Sequence, residues 1–178
     1  SSVPVIGVIK PTVNKVVNNL KTKNIGIIGT RATINSNSYE LEIKKLDGKT
    51  VVFSQSCPLL VPLAEEGFIS HPATKIIVQE YLQYFQDKKI DTLILGCTHY
   101  PILKNIIQDV VGQDVKIIDP AIPTTKQLIN LLKEKNVLGN SKNPTRHFYF
   151  TDITPQTEKT VNIFFDGKFP GKLEKILF

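Results

Sequence analysis

The chain has 178 residues, of which 41% are apolar and 21% charged, and its formal net charge is +6. This composition is that of a globular protein and excludes a disordered or fibrous chain. The length suffices for one sizeable domain that buries roughly 70% of its unfolded surface. No apolar run approaches the ~20 residues that cross a bilayer, and no export signal is recognisable. We therefore expect a soluble cytoplasmic protein without a membrane partner.

The cysteines and lysines narrow the function classes further. Two cysteines, Cys57 and Cys97, are too few for a disulfide scaffold and form no CxxC motif, so we expect two free thiols. The positive charge suggests a nucleic-acid partner, because clustered bases release phosphate counterions. The lysines are scattered, however, and aromatic residues are not interleaved with them. We therefore expect a solvated surface and no nucleic-acid partner.

Apolar runs bounded by Gly, Pro, Asn or Asp alternate with stretches of helical period along the chain. This alternation is typical of an α/β fold with a mostly parallel sheet flanked by helices. In chain order the patterns predict a strand over residues 3–9, a helix over 13–20, a strand over 24–29, a helix over 38–45, a strand over 50–54, a helix over 72–88, a strand over 92–96, a helix over 102–111, a strand over 115–119, a helix over 125–135, a strand over 147–151 and a helix over 155–165.

Two of the predicted helices carry additional signals. The helix over 72–88 has an apolar stripe at spacings of three and four, which should pack on the sheet. The stripe comprises Ile76, Ile77, Tyr81, Leu82 and Phe85. Thr154 is the expected N-cap of the helix over 155–165, with Pro155 at its first position. Residues 136–144 are predicted to form a surface loop.

The chemically informative stretch is LILGCTHYP, residues 93–101, in which an apolar strand ends at once in a thiol and an imidazole. In open α/β sheets the ligand crevice lies beyond the carboxyl ends of the strands. Gly96 permits a close backbone approach there, and the helix that follows aims free N–H groups at the crevice. These N–H groups favour a thiolate, so Cys97 is a candidate base or nucleophile. The alternative for Cys97 is a small buried apolar residue.

His99, two residues after Cys97, favours the chemical interpretation, because an imidazole can hold a proton near neutral pH. A metal site is disfavoured, since zinc needs three or four ligands and His71, His147 and Cys57 have no fitting spacing. The adjacent Glu65 and Glu66 form a second acidic feature. By themselves they also fit a solvated helix or turn terminus.

Four motifs in this order resemble the glutamate racemases of the aspartate/glutamate racemase superfamily. They are VPVIGVI (3–9), GTRATINSNSYE (29–40), CPLLVPLAEEG (57–67) and GCTHYP (96–101). The last two are specific, and GCTH separates glutamate racemases from the related aspartate racemases, which carry Glu in place of His99. The resemblance extends from residue 1 to about residue 150.

The resemblance implies interconversion of L- and D-glutamate without a cofactor or metal, which supplies D-glutamate for bacterial peptidoglycan and thereby for cell-wall biogenesis and cell shape. It implies two facing α/β domains, with a cysteine from each on opposite sides of the substrate α-carbon. One thiolate removes the α-proton while the other thiol delivers a proton to the opposite face. The resemblance also implies a homodimer, whose geometry the residues do not indicate.

Carried over residue by residue, the resemblance makes Cys97 one of the two acid–base thiols, assisted by His99 and Glu65. Glu65 rather than Glu66 aligns with the assisting carboxylate. Thr98, Thr30 and Thr33 are expected in the substrate-binding region together with His99. In the same comparison Cys57 is a structural residue.

The chain departs from the family pattern at its start. The second catalytic cysteine of the family lies upstream of VPVIGVI in a CNTA-like segment that this sequence does not contain, and the sequence has no methionine. We expect that an N-terminal portion is absent. Residues 1–9 and 120–178 would then be the remainder of the first α/β domain, and residues 10–119 the second domain, which carries GCTHYP. This polypeptide alone is expected to racemise glutamate poorly or not at all.

Two alternatives stay open at this point. The first is an α/β domain that binds carboxylates without catalysis. The second is a related aspartate or hydantoin racemase, or a decarboxylase of the same superfamily, against which His99 argues.

Overall fold

The computed structural model describes residues 3–19 and 22–177. Its centre is a four-stranded sheet with the strand order β2-β1-β3-β4, in which every neighbouring pair is parallel. The strands are β1 (Asn24–Gly29), β2 (Val51–Ser56), β3 (Thr92–Gly96) and β4 (Lys116–Ile118). The predicted α/β class with a mostly parallel sheet is confirmed.

Helices connect these strands and flank the sheet. They are α1 (Ile9–Asn19), α2 (Arg31–Asn35), α3 (Ser38–Leu46), α4 (Leu60–Glu65), α5 (Pro72–Leu82), α6 (Lys104–Val111) and α7 (Ala121–Glu134). Two 3₁₀ segments, Gln83–Lys88 and Tyr100–Leu103, follow α5 and precede α6. A smaller unit follows, with β5 (Phe148–Phe150), α8 (Pro155–Phe164) and β6 (Leu173–Lys175), in which β5 and β6 pair in parallel.

The two central strands are buried on both faces, as parallel strands covered by helices require. On one face Ile25 and Ile27 of β1 pack with Ile94 of β3, against α1 and α3. The opposite face packs Leu93 and Leu95 against α4, α5 and α6. Burial of each such side chain contributes about 1.5–3 kcal/mol relative to exposure. These two apolar layers fix the sheet and therefore the positions of the loops at its carboxyl edge.

The sheet changes winding direction between β1 and β3. Of the helices between β1 and β2, α3 packs on one face, whereas α6, between β3 and β4, packs on the other. Such a switch point opens a crevice at the carboxyl ends of the two strands. Gly29 and Gly96, the last residues of β1 and β3, pair with each other at this edge. The loops that begin with Thr30 and Cys97 therefore leave the sheet side by side.

The predicted strand over residues 3–9 is wrong. Residues 3–8 have no regular structure, and α1 begins at Ile9. A strand needs a neighbour for its backbone hydrogen bonds, and no described strand pairs with this segment. Val5 is 87% exposed, so its apolar character does not report burial here.

Several helix boundaries differ from the predicted ones, and three short elements were not predicted. The helix predicted over 13–20 begins four residues earlier, and its predicted last residue lies outside the described residues. The helix predicted over 125–135 likewise begins at Ala121. Of the stripe predicted for the helix over 72–88, Ile76 is 66% exposed and Phe85 is buried but lies in the 3₁₀ segment after α5. The missed elements are α2, α4 and β6, whose three to six residues are too short to show a period.

The expected cap of the last helix is confirmed. The Thr154 side chain accepts a hydrogen bond from the Thr157 backbone, the Thr157 hydroxyl accepts one from the Thr154 backbone, and Pro155 occupies the first turn. This reciprocal pairing satisfies two N–H groups that a helix start leaves free. Across the described residues, no helix has the length and apolar character to cross a membrane.

Gly96 is required by close packing at the carboxyl edge. An added Cβ atom would lie 2.8 Å from the backbone oxygen of Ile28, which the sheet holds in place. We predict that Gly96→Ala lowers the free energy of unfolding by about 1–3 kcal/mol through overpacking. Urea denaturation measures the change.

Gly48→Ala is the matched control, because an added Cβ there meets nothing within 4 Å. Its effect should stay within about 0.5 kcal/mol. Equal effects of the two substitutions would contradict the assignment of a packing role to Gly96.

Candidate active site

Backbone and side-chain hydrogen bonds join the three loops at the carboxyl edge. The Cys57 N–H donates to the Gly29 carbonyl at 2.8 Å, which ties the end of β2 to the end of β1. The buried Tyr100 hydroxyl donates to the Cys57 carbonyl at 2.8 Å, which ties the turn after β3 to the same residue. The loops that carry Thr30, Glu65 and Cys97 are thereby held in fixed relation.

Cys97 follows β3 directly, and its side chain is half-buried. Burial raises the pKa of the Cys97 thiol, while hydrogen bonds from the backbone N–H groups of His99 and Tyr100 act in the opposite direction. The nearby Glu65 carboxylate adds to the rise. The expected N–H donors are therefore present and favour the thiolate, but desolvation outweighs them and the pKa of the thiol is raised.

His99 links Cys97 to Glu65. Its Nδ1 atom lies 3.8 Å from the Cys97 Sγ atom, and its Nε2 atom lies 3.0 Å from the Glu65 Oε1 atom. An ionised carboxylate can only accept a hydrogen bond, so the Glu65 contact assigns the imidazole proton to Nε2. Nδ1 is then free to accept the thiol proton. The arrangement is a line of thiol, imidazole and carboxylate.

The neighbouring Glu66 takes no part in this line. Its carboxylate lies 3.3 Å from the Lys159 Nζ atom on the protein surface. The difference follows from α4, which ends at Glu65 and aims adjacent side chains in different directions.

A cavity of about 380 Å³ opens beside Cys97 at the switch point. Thr33, Thr98 and Cys97 line it, whereas His99 and Glu65 lie outside its lining. Its described lining includes one carboxylate, that of Asp119, and no Lys or Arg. An anionic ligand here would depend on hydroxyl and N–H donors.

The predicted substrate-binding threonines lie at different depths. Thr98 and Thr33 line the cavity directly. Thr30 caps α2, where its hydroxyl accepts from the Thr33 N–H and lies 3.1 Å from the Thr33 hydroxyl. Thr30 therefore reaches the cavity only through Thr33.

Three further residues of the site were missed in the sequence. Tyr39 and Asp119 line the cavity, and Tyr100 holds the turn that carries His99. Burial, and secondarily Cys97, raises the pKa of Tyr39 to about 12, so its phenol stays neutral. Asp119 could have been found from its place at the end of the predicted strand over 115–119, because ligand crevices lie at strand ends. Tyr39 lies in a predicted helix, where a single tyrosine does not indicate a pocket.

The cysteines have the predicted free state, and Cys57 is fully buried against the core. Among residues 3–19 and 22–177, no group of three or more His, Cys, Asp or Glu side chains could hold a metal ion.

Comparison with known proteins matches residues 1–128 to the Asp/Glu/hydantoin racemase family. A glutamate racemase of Chlorobaculum tepidum is 42% identical over 169 residues, covering 94% of this chain and 62% of that protein. The structure of a Francisella tularensis glutamate racemase in complex with D-glutamate is 42% identical with a TM-score of 0.90, covering 99% of this chain and 65% of that one.

A glutamate racemase isoform of Bacillus anthracis has a TM-score of 0.91 at 34% identity, covering all of this chain and 66% of that one. The chain thus spans 62–66% of the length of these three relatives.

The two thiols should differ in reactivity. We predict that iodoacetamide alkylates Cys97 at least about 100-fold faster than Cys57, because Cys57 reacts only through local opening of the core. The raised pKa of Cys97 means that its thiolate fraction, and so its rate, still grows about tenfold per pH unit around pH 8, where an ordinary thiol begins to level off.

Peptide mass spectrometry on samples quenched between pH 6 and 10 resolves the two sites. Equal rates at Cys97 and Cys57 would contradict the assignment of Cys97 to the crevice. A plateau below pH 7 would contradict the dominance of burial over the N–H donors.

Proposed function

The chain belongs to the Asp/Glu/hydantoin racemase family, and we propose that it serves the interconversion of L- and D-glutamate, with Cys97 as one acid–base group. The observation that supports this proposal is the line from the Cys97 thiol through His99 to the Glu65 carboxylate, beside a cavity. The line has the geometry to move a proton between a sulfur atom and an imidazole next to a bound ligand.

The proposed chemistry begins with loss of the thiol proton to Nδ1 of His99, which leaves a thiolate and an imidazolium paired with Glu65. The thiolate then removes the α-proton of glutamate, and the electron pair of the Cα–H bond passes to the α-carbon and its carboxylate. Positioned acid–base groups of this kind typically contribute 10²–10⁴-fold each. A half-buried thiolate suits the task, because the desolvation that raises its pKa also makes it a stronger base.

The threonines and backbone amides would hold the substrate. Thr33 and Thr98 offer hydroxyl donors on the cavity wall. Thr30 would support Thr33 through the contact between their hydroxyls. His99 would act on the substrate through Cys97, since it lies behind the thiol and outside the cavity lining. Such donors can stabilise the negative charge that develops on the substrate carboxylate.

Inversion of configuration needs a second acid on the opposite face of the α-carbon. We place that group, by resemblance, in the CNTA-like segment that this sequence does not contain. One thiol alone can exchange the α-hydrogen of one enantiomer with retention, so this chain is expected to exchange more readily than it racemises. Loss of circular dichroism from D-glutamate would report racemisation.

The domain division proposed from the sequence has support in the sheet, whose four strands all lie between Asn24 and Ile118, within residues 10–119. We assign residues 1–9 and 120–178 to the facing domain. A cytoplasmic location, a role in supplying peptidoglycan and a homodimer belong to the same proposal and rest on the family.

The direct test is exchange of the glutamate α-hydrogen in D₂O, followed by proton NMR with each enantiomer. We predict that Cys97→Ser abolishes deuterium incorporation, because a serine hydroxyl is far less acidic than a thiol and His99 cannot generate an alkoxide of useful concentration. Unchanged exchange in Cys97→Ser would remove Cys97 as the acid–base group. No exchange in the unmodified chain would leave a carboxylate-binding domain without catalysis as the function.

The two glutamates provide a matched pair of variants. Glu65→Gln removes the charge that faces His99, and a charge-assisted hydrogen bond exceeds a neutral one by roughly 1–1.5 kcal/mol. We predict a loss of about tenfold in the exchange rate for Glu65→Gln and less than twofold for Glu66→Gln, whose carboxylate pairs with Lys159. Similar losses in both variants would contradict the role of Glu65 in the line of thiol, imidazole and carboxylate.

A further inference from the structure

The C-terminal helix α8 lies over the His99–Glu65 pair, although about 60 residues of sequence separate it from GCTHYP. Phe164, at the last position of α8, meets the His99 ring at a centroid distance of 5.5 Å with an interplanar angle of 89°. Perpendicular aromatic contacts of this kind are attractive and prefer one geometry. The contact therefore restricts the orientation of the imidazole.

Three further contacts fasten α8 to the end of α4. The Gln156 Nε2 atom donates to the backbone oxygen of Glu65 at 2.9 Å. The Lys159 Nζ atom lies 3.3 Å from the Glu66 Oε2 atom. Gly67, with a φ of +78°, leaves room for Ile163, whose Cδ1 atom would lie 3.1 Å from an added Cβ. The helix α8 thus contacts both the backbone of Glu65 and the ring of His99.

The orientation of His99 needs such a third contact. Its two hydrogen-bonded nitrogen atoms fix two points of the ring, namely Nδ1 facing Cys97 and Nε2 facing Glu65. The ring is also bonded through Cγ to Cβ, so its remaining freedom is rotation about the Cβ–Cγ bond. At 3.8 Å the Sγ–Nδ1 contact is long and opposes that rotation only weakly. Phe164 packs perpendicular to the ring and opposes the same rotation.

We propose that Phe164 is a positioning residue for His99, holding the imidazole in the plane that joins the Cys97 thiol to the Glu65 carboxylate, with α8 as the element that carries it. This inference rests on the proposed function for its catalytic meaning. The contacts that support it, and the experiment that tests it, concern only the coupling between Phe164, His99 and the Cys97 thiol.

The neighbouring Phe165 supplies a matched control. The two rings are similarly exposed, at 37% for Phe164 and 40% for Phe165. Phe165 instead packs against Phe148 and Phe169 in the small C-terminal unit. Replacing it perturbs α8 to a similar degree without touching His99.

The experiment is a double-mutant cycle on the iodoacetamide alkylation rate of Cys97, measured by peptide mass spectrometry at pH 7. The variants are Phe164→Ala, Phe164→Leu, Phe164→Tyr and Phe165→Ala, each with His99 present and with His99→Ala. We expect Phe164→Ala and Phe164→Leu to slow alkylation about 3- to 10-fold when His99 is present, because a misaligned Nδ1 accepts the thiol proton less often. Phe164→Tyr, which keeps the ring, and Phe165→Ala should stay within about twofold.

In the His99→Ala background the Phe164 variants should not change the alkylation rate of Cys97. If Phe164 acted through stability or through access to Cys97, its variants would change that rate in this background as well. Equal effects in the two backgrounds, an equal effect of Phe165→Ala, or no effect of Phe164→Leu in either background would overturn the proposal. If Phe164→Ala does not fold, the double-mutant cycle uses Phe164→Leu, because leucine keeps the apolar bulk but lacks the ring.

The outcome is separable from that of the proposed function. Coupling in the cycle together with unchanged α-hydrogen exchange in Cys97→Ser would retain Phe164 as the positioning residue and remove the racemase function. Loss of exchange in Cys97→Ser without coupling would retain the function and remove the role of Phe164.

Discussion

The site depends on one buried hydrogen bond, from the Tyr100 hydroxyl to the Cys57 carbonyl. Tyr100 belongs to the turn after β3, and Cys57 begins the loop after β2 that leads to α4 and Glu65. The two loops leave strands that are not neighbours, because β1 lies between β2 and β3. Removing one partner of such a buried hydrogen bond lowers the free energy of unfolding by about 1–3 kcal/mol. Together with the Cys57–Gly29 hydrogen bond and the contact of Gln156 with the Glu65 backbone, the Tyr100–Cys57 bond keeps Glu65 at hydrogen-bond distance from His99.

The electrostatics of Cys97 show how burial and polarity compete at a strand end. The N–H groups of His99 and Tyr100 point at the sulfur and favour the thiolate, as the glycine-to-helix turn leads one to expect. Packing against the apolar cluster that includes Leu93 and Leu95 removes water from the same atom, and this desolvation prevails. The thiol therefore needs a partner to take its proton, and the imidazole of His99 is the partner within reach.

The sequence predicted the sheet better than its surroundings. Strands β1 and β3 have one polar residue at the start, continue as an apolar run and end in glycine, so their ends at Gly29 and Gly96 were placed correctly. Segment 3–9 has equally strong strand character but no partner strand among the described residues, and pairing is not a local property. The short helices α2 and α4 have too few residues for a period, although α4 carries Glu65.

At the site, the spacing of Cys97 and His99 and the order of the motifs were enough to predict that these two residues and Glu65 belong together. The contact between His99 and Glu65 spans 34 residues, and only the resemblance indicated which of two adjacent glutamates makes it. The contributions of Tyr39, Tyr100 and Phe164 come from tertiary packing, which residue type alone does not reveal.

We propose that His99 and Glu65 act on Cys97 as one unit. The most direct measurement compares α-hydrogen exchange rates in His99→Gln, in Glu65→Gln and in the variant with both changes. Groups that act as a unit are strongly non-additive, so the double variant should exchange no more slowly than His99→Gln alone. Losses that multiply in the double variant would instead show that the two residues work independently.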